Sequence, residues 1–162
     1  MMWSGLISPQ FATNIGSSIE RRHVSWADVP RQELHSKLVE ILKYKDIPVM
    51  SKNFEFAKLN LANQVPPESF VEAMLIRKAS ILLHLSKRQY GTEKMAKRFK
   101  RVLNRGNRVN KICKANTCHI RKAMQHLEAQ GLVEIKPNGG RTLTKEGSKL
   151  VNHCAFEINR KK

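Results

Sequence analysis

The sequence predicts a mainly α-helical bundle around one central, buried helix, with one short β-hairpin. Residues 68–85 place apolar side chains on every face of a helix, which is typical of a helix buried on most sides. After Gly131 the period changes from helical to extended, and residues 137–140 read Pro-Asn-Gly-Gly. This is a strong hairpin signal, because Asn-Gly supplies two positive-φ positions. A basic helix precedes the hairpin, so the order of elements predicts a winged-helix-like fold with the hairpin as its wing.

Two helices are expected before the central one. Asp28 or Pro30 can begin the first helix, which should end near Tyr44 because Pro48 disfavours helix at the residue before it. Its apolar stripe at helical spacing is Leu34, Leu38, Ile41 and Leu42. The second helix is expected to begin after Ser51 as its cap, with an apolar face of Phe54, Ala57 and Leu61.

The central helix has three polar exceptions, Arg77, Lys78 and His84. Burial of an unpaired arginine costs free energy, so Arg77 is expected to point outward toward a partner. The apolar residues of this helix are Phe70, Val71, Met74, Leu75, Ile76, Ala79, Ile81, Leu82, Leu83 and Leu85.

Two further helices flank a basic segment. Gly91 and Thr92 begin the fourth helix, whose buried face would be Met95, Phe99 and Val102. Residues 104–115 have no clear period and are interpreted as a basic loop. Thr117 is expected to cap the fifth helix, and Gly131 to close it in the left-handed region. The inward face of the fifth helix is Ile120, Met124 and Leu127.

The wing strands are expected at 132–135 and 141–143. A last helix follows, capped by Thr144, and its buried residues would be Leu150, Val151, Cys154 and Ile158. Residues 24–158 therefore form one predicted domain. Residues 1–23 are expected to be a disordered N-terminal extension.

Positive charge dominates the composition. The chain has 30 Lys and Arg against 13 Asp and Glu, a net charge of +17 over 162 residues. Between Ser86 and Lys122, thirteen basic residues face one acid, Glu93, and the tail 159–162 is also basic. A field of this length and single sign repels itself unless an anion neutralises it, and a polyphosphate backbone is the commonest such partner. The alternative is a solvated charged face. The candidate RNA-binding residues are Arg77, Lys78, Lys94, Lys97, Arg98, Lys100, Arg101, Arg105, Arg108, Lys111, Lys114, Arg121, Lys122 and Arg141.

Arg141 is a candidate of a different kind, because it follows Gly139 and Gly140 in the wing. Glycine lets a backbone approach phosphate closely, and a guanidinium can hold a phosphate with two hydrogen bonds. The alternatives are a plain hairpin with a solvated arginine, or an internal strut in which Arg141 pairs with Glu134 across the hairpin.

Several function classes lack the residues that they need. Three cysteines, an odd and sparse set, argue against a disulfide framework and for a reducing compartment. The spacing of cysteine and histidine does not suit a structural zinc site, and neither a Gly-x-Ser-x-Gly nor a Walker motif occurs. No apolar run is long enough to span a bilayer. We therefore expect no enzyme, catalytic residue, metal, cofactor, small-molecule substrate or membrane partner.

The C-terminal half resembles one ribosomal protein family. Residues 127–134 read Leu-Glu-Ala-Gln-Gly-Leu-Val-Glu, residues 139–144 read Gly-Gly-Arg-Thr-Leu-Thr, and Gly147 and Leu150 follow. This succession is similar to the signature of the eukaryotic and archaeal small-subunit family S19 (e-type).

The resemblance continues upstream and covers residues 24–158. Residues 77–80, Arg-Lys-Ala-Ser, resemble the Arg-Ala-Ala-Ser motif of the family, and residues 24–29 resemble its opening Val-x-Val-x-Asp-Val. Two departures stand out. The Tyr-Gly-Gly-Arg run of the family is replaced by Phe-Lys-Arg-Val at 99–102, and its Pro-x-His element is absent near 109–111.

The resemblance implies a structural constituent of the small cytosolic ribosomal subunit that binds rRNA in the subunit head and supports rRNA maturation. The implied partners are small-subunit rRNA and neighbouring ribosomal proteins of the head, with assembly in the nucleus or nucleolus where the source has one. The alternative is a DNA-binding winged-helix transcriptional regulator. A regulator concentrates its readout on one helix and often dimerises, whereas this chain spreads charge over helices, loops and both termini. That spread favours a scaffold embedded in RNA.

Overall fold

The structure, a computed structural model, describes residues 24–45, 56–137 and 139–160. A 3-10 turn at Trp26–Asp28 comes first. The helices and strands in these residues are α1 Arg31–Lys45, α2 Phe70–Leu85, α3 Thr92–Arg98, β1 Arg101–Arg105, β2 Arg108–Cys113, α4 Thr117–Ala129, β3 Val133–Ile135, β4 Arg141–Leu143 and α5 Lys145–Arg160. The mainly helical, winged-helix-like class is confirmed, with β3–β4 as the wing. The extension predicted at 1–23 lies outside the described residues.

α1 confirms the first predicted helix. The carbonyl of Pro30 accepts a hydrogen bond from the Leu34 amide at 3.1 Å, and Leu34, Leu38 and Leu42 are buried. Their spacing of four residues places them on one face of the helix, and this face packs against α2. Hydrophobic burial along this stripe therefore holds α1 on the bundle.

The second predicted helix is wrong where it can be seen. Its start at 51–55 lies outside the described residues, and residues 56–61 form a turn and an isolated bridge rather than a helix. Asn60 explains the extended backbone, because it pairs in antiparallel fashion with Ala115. Its side-chain amide also donates to the carbonyls of Phe99 at 3.2 Å and Cys113 at 3.4 Å. Leu61, expected on a buried face, is 71% exposed.

α2 is the central helix, as predicted. The hydroxyl of Ser69 caps its start by accepting a hydrogen bond from the Glu72 amide at 3.4 Å. The helix packs against α1, α4, α5 and β4, so apolar side chains on several faces are covered. Residues with no exposed surface include Met74, Ala79, Ile81 and Leu82.

The basic segment after α3 differs from the prediction. α3 ends at Arg98 with Phe99 as its C-cap, so Val102 lies in a strand and is 60% exposed. The segment 104–115, interpreted as a loop, instead holds most of an antiparallel hairpin, β1–β2. Gly106 supplies its turn with φ 67°, and β-branched residues in both strands favour extended backbone. We call this hairpin the arm.

The structures of α4 and the wing agree closely with the prediction from the sequence. Asn116 rather than Thr117 caps α4, since its side chain accepts from the Cys118 amide at 3.0 Å. Gly131 closes α4 with φ 71°, as predicted. In the wing, Val133 pairs with Leu143 and Ile135 with Arg141. The hydroxyl of Thr144 accepts from the Gly147 amide at 3.1 Å and so caps α5.

Candidate nucleic-acid interface

Eleven of the fourteen candidate basic residues are exposed. Nine of them lie on three consecutive parts of the fold, α3, the arm and the first half of α4, and Lys100 and Lys114 lie in the short connections on either side of the arm. Among the described residues, Lys114 is the one member of this set in an ion pair, with Glu93 at 2.8 Å. The hydrogen bond and charge of Lys114, followed by the charge of Lys97, lower the pKa of Glu93. The eleven residues are Lys94, Lys97, Arg98, Lys100, Arg101, Arg105, Arg108, Lys111, Lys114, Arg121 and Lys122.

The arm carries the densest part of this charge. Its strands are exposed along almost their whole length, and only Cys113 at the end of β2 is buried. At the tip, Arg105 lies directly opposite Arg108. At the base, Arg101 donates to the side-chain oxygen of Asn63 at 3.2 Å. The arm is thus anchored at its base and presents cations at its tip.

A groove of about 620 Å³ lies between the wing turn and the start of α3. Gln89 joins the two sides, because its amide donates to the carbonyl of Gly139. The lining residues are Gln89, Gly91, Thr92, Glu93, Lys94, Gly139 and Gly140. The glycines leave room for the backbone of a polyphosphate to approach, and Lys94 supplies a cation beside it.

Arg77 does not point outward as predicted; it is partly buried against an aromatic ring. Its guanidinium carbon lies 4.6 Å from the centroid of Phe99, a cation–π distance. Burial, and then the charge of Arg101, lower the pKa of Arg77. Its Nη1 atom is buried and has no hydrogen-bond partner. Since such an atom lacks compensation for its lost water, Arg77 remains a candidate for an anion contact.

Lys78 is not accessible for a contact with RNA, because it is 0% exposed. In α2 it stands four residues from both Met74 and Leu82, and this spacing places all three on one face. Both apolar neighbours are fully buried. A phosphate cannot reach a side chain on the core face of the central helix, so the assignment from the sequence is wrong here.

Arg141 is held inside the protein. Its Nε and Nη2 atoms both donate to one carboxylate oxygen of Glu128 at 3.3 Å, and its side chain is 15% exposed. Its backbone pairs with Tyr90 through hydrogen bonds of 2.9 and 3.1 Å. This geometry favours the strut over the phosphate clamp. The partner is Glu128 of α4, because Glu134 contacts Lys136 and Thr142 instead.

The comparisons with known proteins decide the family. A family model described as ribosomal protein S19e matches residues 25–161. The chain belongs to the ribosomal protein S19e family. It is 29% identical to small ribosomal subunit protein eS19 of Candida albicans over 135 residues, which are 83% of this chain and 93% of the relative. For eS19A of Saccharomyces cerevisiae the identity is 29%, over 83% and 94% of the two chains. For eS19 of Haloarcula marismortui it is 31% over 142 residues, 81% and 88% of the two chains.

The family match confirms the resemblance seen in the sequence and places this S19e chain in a structural rather than a catalytic class. Two structural observations accompany it. Within the described residues, no three His, Cys, Asp or Glu side chains come together in a way that could hold a metal ion. Nor does any described helix have the length and apolar character needed to cross a bilayer.

The S19e chain also contains an aromatic cluster that the sequence did not reveal. The ring of His84 makes T-shaped contacts with the rings of Tyr90 and Phe99, with centroid distances of 6.1 and 5.8 Å. Arg98 donates to the Tyr90 hydroxyl at 3.2 Å, and Arg31 approaches the Nε2 atom of His84 at 3.4 Å. Tyr90 bonds to the wing and Phe99 precedes the arm, so the cluster fixes the bases of both hairpins. These residues share no period, and only tertiary packing brings them together.

Proposed function

We propose that this chain is a structural constituent of the small ribosomal subunit, that it binds the subunit rRNA in the head, and that it supports rRNA maturation and assembly. The relatives are named as small-subunit proteins, which supports the place of action. The observation that carries RNA binding is the exposed surface of α3, the arm and the start of α4. With the short connections at Lys100 and Lys114 it bears eleven cations and, in the described residues, one compensating ion pair.

The mechanism is neutralisation of crowded phosphates. Each Lys or Arg that meets a phosphate releases condensed counterions, so binding gains free energy without reading a base sequence. The helical body carries this surface as one domain, residues 24–158, and packs among rRNA and neighbouring proteins of the head. Ribosomal function sets a cytoplasmic location, with assembly in the nucleus or nucleolus where the source has one. No cofactor is needed for this role.

The decisive experiment is sucrose-gradient fractionation of a tagged full-length copy. We expect co-sedimentation with the small subunit and with whole ribosomes. Lys94→Glu combined with Lys97→Glu should move the protein to the top of the gradient, because both exposed side chains lie on α3. Lys149→Glu, an exposed position on α5, is the matched control and should sediment as wild type does. A wild-type protein absent from the small-subunit fractions would refute the proposal.

The DNA-binding regulator is not favoured. Such a protein reads a duplex with one recognition helix, and here the exposed charge extends over two helices and the arm between them. The family match also belongs to ribosomal proteins. A gel-shift comparison separates the two: tight binding to duplex DNA with no preference for small-subunit rRNA would support the regulator.

A further inference from the structure

We propose that the arm meets RNA through one face only, and that a run of backbone phosphates lies along the four cations of that face. The inference rests on the proposed function and deepens it, because it names the side of the arm that touches RNA and the side that does not. We call the side that carries the cations the cationic face. Its charged residues are Arg101, Arg105, Arg108 and Lys111.

The strand register defines the cationic face. The pairing moves from residue 103 to 105 in β1 while it moves from 111 to 108 in β2, so the extra residue of the irregularity lies in β2. Alternate residues of the uninterrupted β1 point to the same side, which places Arg101, Leu103 and Arg105 together. Directly opposite residues of an antiparallel pair also share a side. The three rows of the face are the pairs Arg101–Cys113, Leu103–Lys111 and Arg105–Arg108.

The other side of the arm has no charge. It carries Val102, Asn104 and Ile112, and residues 109–110, where the irregularity lies, are uncharged as well. Every charged residue between 101 and 113 therefore lies on the cationic face, and no acid stands among them. A general basic coat would place charge on both sides of an exposed hairpin. The one-sided charge indicates a surface with a fixed orientation toward its partner.

The base of the arm fixes the direction of the cationic face. Cys113, in the first row of the face, is 6% exposed, and its neighbour Arg101 donates to the side-chain oxygen of Asn63 at 3.2 Å. The amide of Asn60 donates to the carbonyls of Phe99 and Cys113, so both ends of the hairpin are bonded to the body. The four cations are nevertheless exposed. A surface that is ordered before binding loses less conformational entropy when it binds.

The cations of this face need anions from outside the described residues. No ion pair of the described residues includes any of the four. Arg105 and Arg108 also repel each other, because like charges directly opposite destabilise a strand pair. The rows are about 6.7 Å apart, so the cations extend over about 13 Å along the arm. A line of anions such as a phosphate backbone would engage all three rows.

RNA fits the cationic face better than a protein does. The centre of a protein interface is depleted of charged residues, whereas this face has a cation in each of its three rows. Contacts to nucleic acid go largely to phosphate and sugar, and arginine and lysine supply many of them. Three of the four cations are arginines, whose planar guanidinium matches the geometry of phosphate. The face therefore suits an RNA backbone and has no group arranged to read a base.

The position of this charge departs from the family resemblance. The Tyr-Gly-Gly-Arg run of the family has its arginine at the position of Val102, whereas this chain has an arginine one residue earlier, at Arg101. A shift of one residue along a strand moves a side chain to the other face. The arm of this chain therefore turns toward RNA the side opposite to the one on which the family motif carries its arginine.

A charge swap between the two sides of the arm tests the inference. Lys111→Ile combined with Ile112→Lys moves one cation to the uncharged side and keeps the net charge and the composition. Full-length protein is titrated onto small-subunit rRNA, transcribed in vitro from the source organism, at about 50 and about 200 mM KCl. Binding should weaken by about tenfold at the lower concentration and about threefold at the higher one. The reason is that loss of one phosphate contact reduces the slope of log affinity against log salt by about one unit.

Ile112→Lys alone is the matched control. It places the same cation on the uncharged side while Lys111 stays, and it should bind as wild type does because that side does not meet RNA. Lys111→Gln is a milder variant that should show the same loss as the swap and serves if the swap fails to fold. Arg105→Gln combined with Arg108→Gln should reduce the salt slope by about two units. Thermal melts by circular dichroism show which variants are folded.

Wild-type affinity and slope in the folded swap variant, or in Lys111→Gln, would overturn the inference. Tighter binding by Ile112→Lys than by wild type would also overturn it, since a diffuse field responds to net charge on either side. Both results would leave the proposed function standing, because the wild type still binds and sediments. A folded swap variant that binds rRNA normally but leaves the small subunit in a gradient would overturn the inference in favour of an acidic surface of a neighbouring protein. Failure of the wild type to bind rRNA or to sediment would instead refute the proposed function.

Discussion

The wing and the arm are both two-stranded hairpins with arginines close to glycine, yet they are attached to the bundle in opposite ways. In the wing, Arg141 is 15% exposed on its side chain and bonds to Glu128, while its backbone bonds to Tyr90. In the arm, Arg105 and Arg108 face each other in solvent. One hairpin uses its arginine to hold itself on the body, and the other leaves its arginines available.

The difference shows that a basic residue beside a flexible turn has no fixed role. Arg141 is neutralised because α4 passes close enough to place a carboxylate within 3.3 Å. The arm extends from α3 and packs mainly on itself, so no described acid reaches its tip. The two roles make separate predictions: the wing should govern stability and the arm should govern binding.

Salt concentration should have the largest effect, and it should act on rRNA binding by the basic residues of the arm. If about 6–10 phosphates are neutralised, affinity for small-subunit rRNA should fall by roughly 10³–10⁵ between 50 and 200 mM salt. The melting temperature should not fall over the same range, because salt screens the repulsion among the basic residues and leaves the apolar core intact. Fluorescence anisotropy and thermal melts measure the two quantities on the same samples. A flat salt response would remove phosphate neutralisation as the mechanism.

Loss of the Arg141–Glu128 pair, the strut of the wing, should have the next largest effect, a fall in the free energy of unfolding. Arg141→Ala is expected to lower the free energy of unfolding by about 2–3 kcal/mol, because Glu128 loses both hydrogen bonds of a partly buried, charge-assisted pair. Affinity for rRNA should be nearly unchanged. Chemical denaturation and rRNA titration together separate the strut from the phosphate clamp that the Gly-Gly-Arg sequence suggested.

Lys136→Ala is the matched control for this strut. Lys136 pairs with Glu134 in the same hairpin, but the two side chains are 46% and 47% exposed. Exposed pairs of this kind contribute about 0–1 kcal/mol, so this variant should be close to wild type in stability. A loss of rRNA binding in Arg141→Ala without a loss of stability would restore the clamp and contradict the comparison.

The sequence predicted the wing far better than the arm, and the reason is physical. Asn-Gly-Gly and the left-handed Gly131 act locally, so the turn and the end of α4 can be recognised without knowing the rest of the fold. The arm depends on register between exposed strands that have no apolar alternation. The prediction that Lys78 contacts RNA was wrong for a similar reason. A lysine is usually exposed, and only the packing of α2 against four neighbouring elements shows that this side chain lies on an internal face. The partner of Arg141 also came from another element, α4, and no spacing within the hairpin could reveal Glu128.

Gly147 tests how tightly the wing is held against α5. A Cβ at this position would collide with the backbone carbonyl of Leu132 and lie 2.8 Å from a side-chain carbon of Leu143. Gly147→Ala should therefore destabilise the protein by about 1–2 kcal/mol despite the better helix propensity of alanine, since overpacking forces the backbone apart. Ser148→Ala, exposed on the next position of α5, should stay within about 0.5 kcal/mol of wild type. Equal stability of the two variants in denaturant melts would show that the wing can move away at little cost.

The smallest effect should come from pH, through the cluster that supports both hairpins. Burial lowers the pKa of His84, followed by the charges of Arg31, Arg98 and Lys87. The unfolded chain therefore binds a proton more readily than the folded one, and stability should rise with pH between the two pKa values. The contribution of neutral His84 is complete above the unfolded pKa of about 6.5 and is lost as the pH falls below it. His119, whose pKa is lowered by burial and then by Arg77, acts in the same direction.

Denaturant melts at about pH 7.5 and about pH 5.5 measure this loss of stability. His84→Gln should reduce the difference in stability between the two pH values. The variant should also be less stable than wild type at both, because the ring contacts with Tyr90 and Phe99 are gone. Tyr90 carries the wing and Phe99 precedes the arm, so protonation of His84 should loosen both hairpins together. Hydrogen exchange can resolve the two hairpins: at acid pH we expect lower protection factors for the Arg141 amide, which bonds to Tyr90, and for the amides of β1. Acid loosening of the wing alone would mean that the arm is anchored through Asn60 and Asn63 rather than through the cluster, and the shared base of the two hairpins would have to be abandoned.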